Sequence, residues 1–335
     1  MTIKDLAAKT GYAVGTVSRA LNDHPNVSDK ARRAILQAAR EYGFQLNENA
    51  KQLKQSHSNN ILVILKGTGN EFFAEMLECI QNLISSTRYQ LVVDYLDEDL
   101  NEVTRAVQLC REKKPLGILF LGGNSKNFSA DFDKIDIPCV EVTNDASALS
   151  FPNLSSVTTD DREAARRAID TLIASGHRKI AVIGGDKTSS DISRLRLDGC
   201  QQSFWEHSIA FDPQRDYRGV RFSCEDGYNA TKSLLAEGDY TAIFAFSDLM
   251  AIGAIRALWE AGKRVPEDVS IMGLDGLVLG KYLVSQLSTV RQDFQTIAQR
   301  SVEILLDAVE DGVPARHETV PFEIQHRESV CGISK

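Results

Sequence analysis

The chain has 335 residues, 43% of them hydrophobic and 25% charged, and a formal net charge of −8. That length predicts two or three domains with ample core. The acidity excludes a chain that coats nucleic acid over its whole surface. The charge is unevenly spread: residues 1–60 hold nine Lys and Arg against five Asp and Glu, a balance of +4, while the rest holds 29 against 41, or −12. A small basic head on a large acidic body is the pattern of a DNA-binding module joined to a regulatory domain. No stretch approaches the roughly 18 apolar residues of a membrane span. The N-terminus lacks a basic-then-apolar leader, so a reducing cytoplasm is expected. The six cysteines are scattered without a C-x-x-C pair and read as buried free thiols.

The head reads as three short helices. Thr2 caps the first, with Asp5 completing a capping box and Ile3, Leu6 and Ala7 on its apolar face. Gly11 permits the turn. The second helix runs from about residue 13 to 22, with Val17, Ala20 and Leu21 facing inward, and Pro25 ends it. Ser28 caps the third, whose stripe is Ala31, Ile35, Leu36, Ala38, Ala39 and Tyr42, with Gly43 as its stop. Two helices split by a glycine turn, the second carrying Thr16-Val17-Ser18-Arg19, form the pattern of a helix-turn-helix that sets one helix in the DNA major groove. Residues 47–60 follow, a short helical pattern and a polar linker too poor in apolar residues to pack alone.

From residue 61 the pattern changes to alternation. Apolar runs at 61–65, 91–95, 117–121, 139–143, 179–183, 242–246 and 270–273 read as strands. Helical segments lie between and after them, near 71–86, 101–113, 161–175, 191–207, 226–236, 249–262 and 294–310. Such alternation predicts doubly wound parallel sheets, and its length predicts two α/β lobes. The expectation is no enzyme and no cofactor. Gly67-x-Gly69 and Gly184-Gly185 do not complete G-x-G-x-x-G, and no Walker loop, G-x-S-x-G or H-E-x-x-H occurs. The six histidines are dispersed, so no metal site is expected, and His177 reads as structural.

Several motifs, in order, resemble the LacI/GalR family of bacterial transcriptional repressors. They are Thr2-Ile3-Lys4-Asp5-Leu6-Ala7, Thr16-Val17-Ser18-Arg19-x-Leu21-Asn22, Asn47-x-x-Ala50-Lys51-x-Leu53, Ser175-Gly176-His177-Arg178-Lys179-Ile180, Arg194-Leu195-Arg196-Leu197-Asp198-Gly199, Ser247-Asp248-x-Met250-Ala251 and Val265-Pro266-x-Asp268-Val269-Ser270. The resemblance implies a helix-turn-helix head over 1–46, a hinge helix and linker over 47–60, and an α/β core of two doubly wound, periplasmic-binding-protein-like lobes over 61–335. The first lobe would take about 61–160 and 292–319, the second about 161–291 and 320–335, with three crossings between them.

It also implies residue roles. Arg19 would bond guanine bidentately, worth about 1–3 kcal/mol of discrimination. Val14 and Gly15 stand at the principal specificity positions, and Thr16, Ser18, Asn22 and Asn26 would contact phosphate. Ala50, Lys51 and Leu53 match a hinge helix whose leucine wedges into the minor groove; a linker leucine packed on the core is the other reading of Leu53. Ala13 replaces the family's usual capping serine, Lys51 its arginine and Leu46 its proline. Phe72, Phe73, Thr143, Arg196, Phe222, Ser247 and Asp275 match effector-pocket positions, although Phe72 and Phe73 also read as plain core. Thr143 or Asn144 stands where many members have aspartate. Asp160 and Asp161, at a helix start, read as a cap and a dipole partner rather than ligands. Lys66, Thr68 and Asn70 could reach a phosphate or hydroxyls.

The implied protein is a homodimeric repressor on a pseudo-palindromic operator, controlled by a small molecule, most often a sugar. The alternative is a cytoplasmic small-molecule sensor without operator control. The chain carries no leucine-rich heptad tail at Lys335, so the tetramer-forming extension of some relatives is not expected.

Overall fold

The head opens on a capping box. In the computed structural model, which describes residues 2–21, 27–42, 58–67, 69–188 and 190–333, Thr2 Oγ1 accepts from Asp5 N at 3.3 Å. The Asp5 carboxylate accepts from Thr2 N at 2.7 Å and from Thr2 Oγ1 at 2.8 Å, and these two bonds hold its pKa below the ordinary value. Helix α1 (Ile3–Thr10) ends at Gly11, whose φ of 71° a side chain would resist. Helices α2 (Val14–Leu21) and α3 (Asp29–Glu41) complete the head, and Ser28 caps α3 through Ala31 N at 3.4 Å. Leu6, Val17, Ala20, Ala31, Ile35 and Ala39 lie in its core.

The α3 stripe is narrower than the sequence suggests. Leu36 and Tyr42 are exposed. Leu36 sits a further helical step round from Ile35, beyond the reach of two eight-residue partners. Tyr42 instead lies under Lys9, whose Nζ is 3.7 Å from the ring centroid.

Residues Asn59–Lys335 form a second unit, separate from Met1–Ser58. It holds two six-stranded sheets. The first comprises β1 (Asn60–Lys66), β2 (Gln90–Leu96), β3 (Gly117–Leu121), β4 (Cys139–Val142), β5 (Leu154–Thr158) and β11 (His317–Thr319), in the order β11-β5-β4-β3-β1-β2, all parallel. The second comprises β6 (Ile180–Gly184), β7 (Tyr217–Gly219), β8 (Ala242–Ala245), β9 (Ser270–Asp275), β10 (Ser288–Gln292) and β12 (Phe322–Gln325), in the order β12-β10-β9-β8-β6-β7. Here only β12 runs antiparallel. Position for position the two orders are the same, so β1 answers to β6, β4 to β9 and β5 to β10. The chain leaves one sheet for the other after β5, β10 and β11.

Each sheet is covered on both faces. Helix α4 (Glu71–Ser85) and the last helix, α11 (Phe294–Asp311), bury Met76, Ile80, Ile297 and Leu305 against one face of the first sheet. Helices α5 (Glu102–Lys113) and α6 (Ser125–Asp131) cover the other. The second sheet lies between α7 (Asp161–Ala174) with α8 (Asp191–Glu206), and α9 (Cys224–Glu237) with α10 (Asp248–Glu260). The strands β5, β7, β10, β11 and β12 were not legible. Three-residue β7 and β11 are too short to show a pattern, and Leu-Ser-Ser-Val-Thr in β5 reads as polar.

The thiols depart from expectation too. None is in a disulfide, but only Cys139 and Cys200 are buried, and Cys224 is exposed. His177 is buried, with Nδ1 3.0 Å from Thr241 Oγ1 and Nε2 3.2 Å from the Cys331 carbonyl. Among the described residues no helix is long and apolar enough to cross a membrane.

Two buried carboxyls titrate near neutrality. Burial, reinforced by neighbouring Glu102, pushes the Glu141 pKa up to about 8. Burial pushes Asp248 up to about 7, although Gly276 N, Leu277 N and Thr289 Oγ1 all donate to it. The folded state therefore keeps a proton that the unfolded chain releases above the ordinary carboxylate range, and stability falls as pH rises toward 7–8. We expect Glu141→Gln to remove its share of that fall, on the order of 2–4 kcal/mol. Denaturant unfolding from pH 5 to 8 should show the variant's advantage over wild type growing with pH; a constant difference would reject the assignment.

Candidate functional site

The exposed face of α2 is small and flat around one arginine. Val17 and Ala20 are buried, which turns Gly15 and Arg19 to the centre of the solvent face, with Ser18 beside them and Val14 and Thr16 on the flanks. Arg19 lies back along its own helix, Nε donating to the Gly15 carbonyl at 3.1 Å. The Ala13 carbonyl accepts from Thr16 N at 2.8 Å and Val17 N at 3.0 Å, and its methyl offers no cap. The other sequence-derived DNA candidates, Asn22, Asn26, Ala50, Lys51 and Leu53, lie outside the described residues.

The second unit has a cleft of about 510 Å³, within the range of small-molecule sites. It is lined from both lobes, by the loops that follow the carboxyl ends of the parallel strands, where open α/β sheets hold ligands. Of the sequence-derived effector residues, Phe72, Phe73, Thr143, Arg196, Phe222 and Asp275 line it. Ser247 does not: its Oγ caps α10 by accepting from Met250 N at 3.2 Å. Phe72 and Phe73 serve cleft and core at once, being 3% and 8% exposed, so they offer edges rather than open faces. Phe222 is the half-buried ring of the second lobe. It packs so close to Gly185 that a Cβ there would come within 2.7 Å of the ring.

Arg196 is fixed before any ligand arrives. Its Nε donates to Asp161 Oδ1 at 2.7 Å and its Nη1 to the Phe246 carbonyl at 2.5 Å, with both side chains of the pair 5% exposed. At the start of α7 Asp160 is the cap, accepting from Glu163 N at 3.0 Å, and Asp161 in the first turn is the residue that also holds Arg196. Asp275 accepts from Gln292 Nε2 at 3.0 Å. Burial holds its carboxyl well above the ordinary range, offset in part by Arg196.

Thr143 and Asp275 occupy equivalent places, just after β4 and at the end of β9. Both have positive φ, 80° and 125°, a strained conformation for residues with a Cβ. Thr143 Oγ1 and the neighbouring Asn144 Oδ1 are buried without a hydrogen-bond partner. Buried polar atoms are normally satisfied, so these two are open to a ligand.

The mouth of the cleft is strapped. Arg221 of the second lobe meets Glu98 Oε1 at 2.8 Å and Asp97 Oδ1 at 3.6 Å, and also pairs with Asp99. Ser125 N donates to Asp191 Oδ2 at 2.9 Å, and Lys126 Nζ to the Thr188 carbonyl at 2.7 Å. Sequence reasoning missed this acidic trio and Arg221. The run Asp97-Glu98-Asp99 after a strand was a visible signal, but nothing in one sequence names a partner more than a hundred positions away. Among the described residues no group of His, Cys, Asp and Glu could hold a metal ion.

Comparison with known proteins fits this geometry. Residues 2–47 match the family described as bacterial regulatory proteins, lacI family, and residues 169–330 match a periplasmic binding protein-like domain. The HTH-type transcriptional regulator MalR of Clostridium butyricum is 34% identical over 99% of this chain and 100% of its own length. The chain belongs to the lacI family of bacterial regulatory proteins. The ribose operon repressor of Haemophilus influenzae is 30% identical, over 92% of each chain. A lac repressor dimer solved with operator and the anti-inducer ONPF superposes with a TM-score of 0.79, at 26% identity and 99% coverage of both chains. The protein is thus a DNA-binding transcriptional regulator of the lacI family, and its two lobes have the periplasmic-binding-protein-like fold.

The α2 face generates a direct test. A Cβ at Gly15 would meet only Arg19 Nη2, at an ordinary 3.8 Å. Gly15→Ala should therefore stabilise the head by about 0.5–1 kcal/mol, seen as later melting of head signals in the full chain. A destabilised head would show that Gly15 serves local packing.

Proposed function

We propose that this protein is a cytoplasmic, homodimeric repressor of a pseudo-palindromic operator, whose grip is set by a sugar or sugar derivative held between the lobes. The observation that carries the reading is the cleft: fixed Arg196, strained Thr143 and Asp275, and the unpartnered oxygens of Thr143 and Asn144 converge on it from two lobes. A ligand touching both lobes has different free energies in different lobe arrangements, and only such a difference can shift an equilibrium. In this reading the head is 1–46, the hinge and linker 47–60 and the core 61–335, and α2 is the recognition helix. Relatives named for the ribose operon, and a lac repressor dimer on operator, support sugar control and a two-subunit complex.

The dimer surface we assign is the loop after β9. Val278, Leu279, Tyr282 and Val284 are exposed there, Tyr282 by 80% and Val284 by 95%, an apolar run that a monomer rarely shows. Sedimentation of Val284→Asp should shift the chain toward monomer, with weaker operator binding. An unchanged dimer would move the interface elsewhere.

The deciding experiment selects DNA from a random pool with the full chain, then measures affinity for selected and scrambled duplexes. Arg19→Ala should lose the preference, a drop of about 1–3 kcal/mol, while keeping its melting temperature and any sugar-induced melting shift. Asp275→Asn should keep the DNA preference and lose the sugar shift. Arg196 is unsuited to that role, because its removal strands the buried Asp161 carboxylate. A preference that survives in Arg19→Ala would reject the recognition helix.

A further inference from the structure

We infer that the effector is an uncharged saccharide and that the cleft rejects its phosphorylated form. The inference rests on the reading of the cleft as the effector site. It comes from where the charges are already spent.

Among the described residues three cations line the cleft, and each has a carboxylate. Lys66 Nζ is 2.7 Å from Glu102 Oε2, and the pair is nearly sealed, with the side chains 12% and 0% exposed. Glu102 is itself held by Asn124 N at 2.6 Å and Asn127 Nδ2 at 2.9 Å, so it cannot turn away to release the lysine. Arg196 is bound to Asp161, and Arg221 to the trio Asp97, Glu98 and Asp99. Lys66, which the sequence offers as a phosphate contact, is therefore committed.

The helix ends that commonly cradle phosphate are committed as well. Three helices begin at the cleft wall, and their caps line it: Asn70 for α4, Ser190 for α8 and Ser223 for α9. Asn70 Oδ1 accepts from Phe72 N at 3.1 Å, Ser190 Oγ from Ser193 N at 3.2 Å and Ser223 Oγ from Asp226 N at 3.1 Å. Each first turn also carries an acid, Glu71, Asp191 and Glu225 among them, which opposes an incoming anion.

The acids of the lining outnumber its cations. Asp97, Glu98, Asp99 and Asp186 stand with buried Asp275 against Lys66, Arg196 and Arg221, so a dianionic phosphate would meet no cation without a carboxylate and an excess of its own sign. The groups left over suit hydroxyls. The unpartnered Thr143 Oγ1 can donate or accept, Asn144 Oδ1 accepts, and Asp275 offers the carboxylate that sugar hydroxyls commonly meet. At about 510 Å³ the cleft has room for more than one sugar ring.

The test titrates the full chain with ribose, glucose and maltose, and with ribose 5-phosphate and glucose 6-phosphate, by calorimetry and melting shift. At least one uncharged sugar should bind, and the phosphate of ribose or glucose should bind at least tenfold more weakly than its parent or not at all. Glu102→Gln, which frees Lys66, should narrow that gap several-fold; Glu98→Gln, which loosens Arg221 at the mouth, is the second variant should the first fail to fold. A phosphate that binds wild type as well as its parent sugar, or better, and is lost in Asp275→Asn overturns this inference and leaves the cleft as the effector site. Failure of the whole panel, or binding untouched by Asp275→Asn, overturns the effector-site reading and this inference with it.

Discussion

The buried pair of Arg196 and Asp161 is the contact on which the core's chemistry depends. It joins the start of α7 to the body of α8, and through the Phe246 carbonyl it reaches the loop after β8. Stripping water from two such charges is costly, and the pair persists because both sides of the fork find acceptors of good geometry. The result is a guanidinium whose direction is set by the lobe and not by the ligand. Asp275, on the neighbouring strand, feels that charge, which offsets in part the rise that burial imposes on its carboxyl. A ligand meets a surface already organised, so little is lost in ordering it.

The second constraint is repetition. Two sheets wound in the same order place equivalent strand ends opposite each other, and both lobes use the same device there, a residue held at positive φ. Strain of this kind persists only where the surroundings impose it. Between the lobes the arrangement is softer. The Arg221 strap is half exposed, and exposed ion pairs contribute little each. Rigid walls and a weak clasp are what a two-state sensor needs: the site keeps its shape while the angle between its halves stays cheap to change.

Much of this was legible from sequence, and the failures have physical causes. The head was, because caps and glycine stops act locally: Thr2, Asp5, Gly11 and Ser28 each work within four residues. The central strands were, because β1, β3 and β4 are buried on both faces and, Asn60, Lys66 and Glu141 apart, built of apolar residues. Ser247 misled because a serine before a helix looks the same whether it caps or binds. Asp161 reads as no more than a helix-start acid because its partner Arg196 lies 35 residues on, around a strand and a loop. Leu36 failed because the width of a buried stripe depends on the neighbours' size, which periodicity does not encode. The cleft's electrostatics were the least accessible, since a list of charged residues does not say which are already paired.

The folded-back posture of Arg19 has a consequence for search. A regulator spends nearly all its time on the wrong DNA, held by phosphates and sliding. An arginine lying along its own helix keeps a smooth profile there, so the protein need not drag an extended side chain past every base step. In the proposed reading of α2 as the recognition helix, extending Arg19 over a guanine breaks one 3.1 Å bond to the Gly15 carbonyl. Side-chain rotation of this kind takes picoseconds to nanoseconds. On that reading each base pair is tested by a side-chain rotation alone.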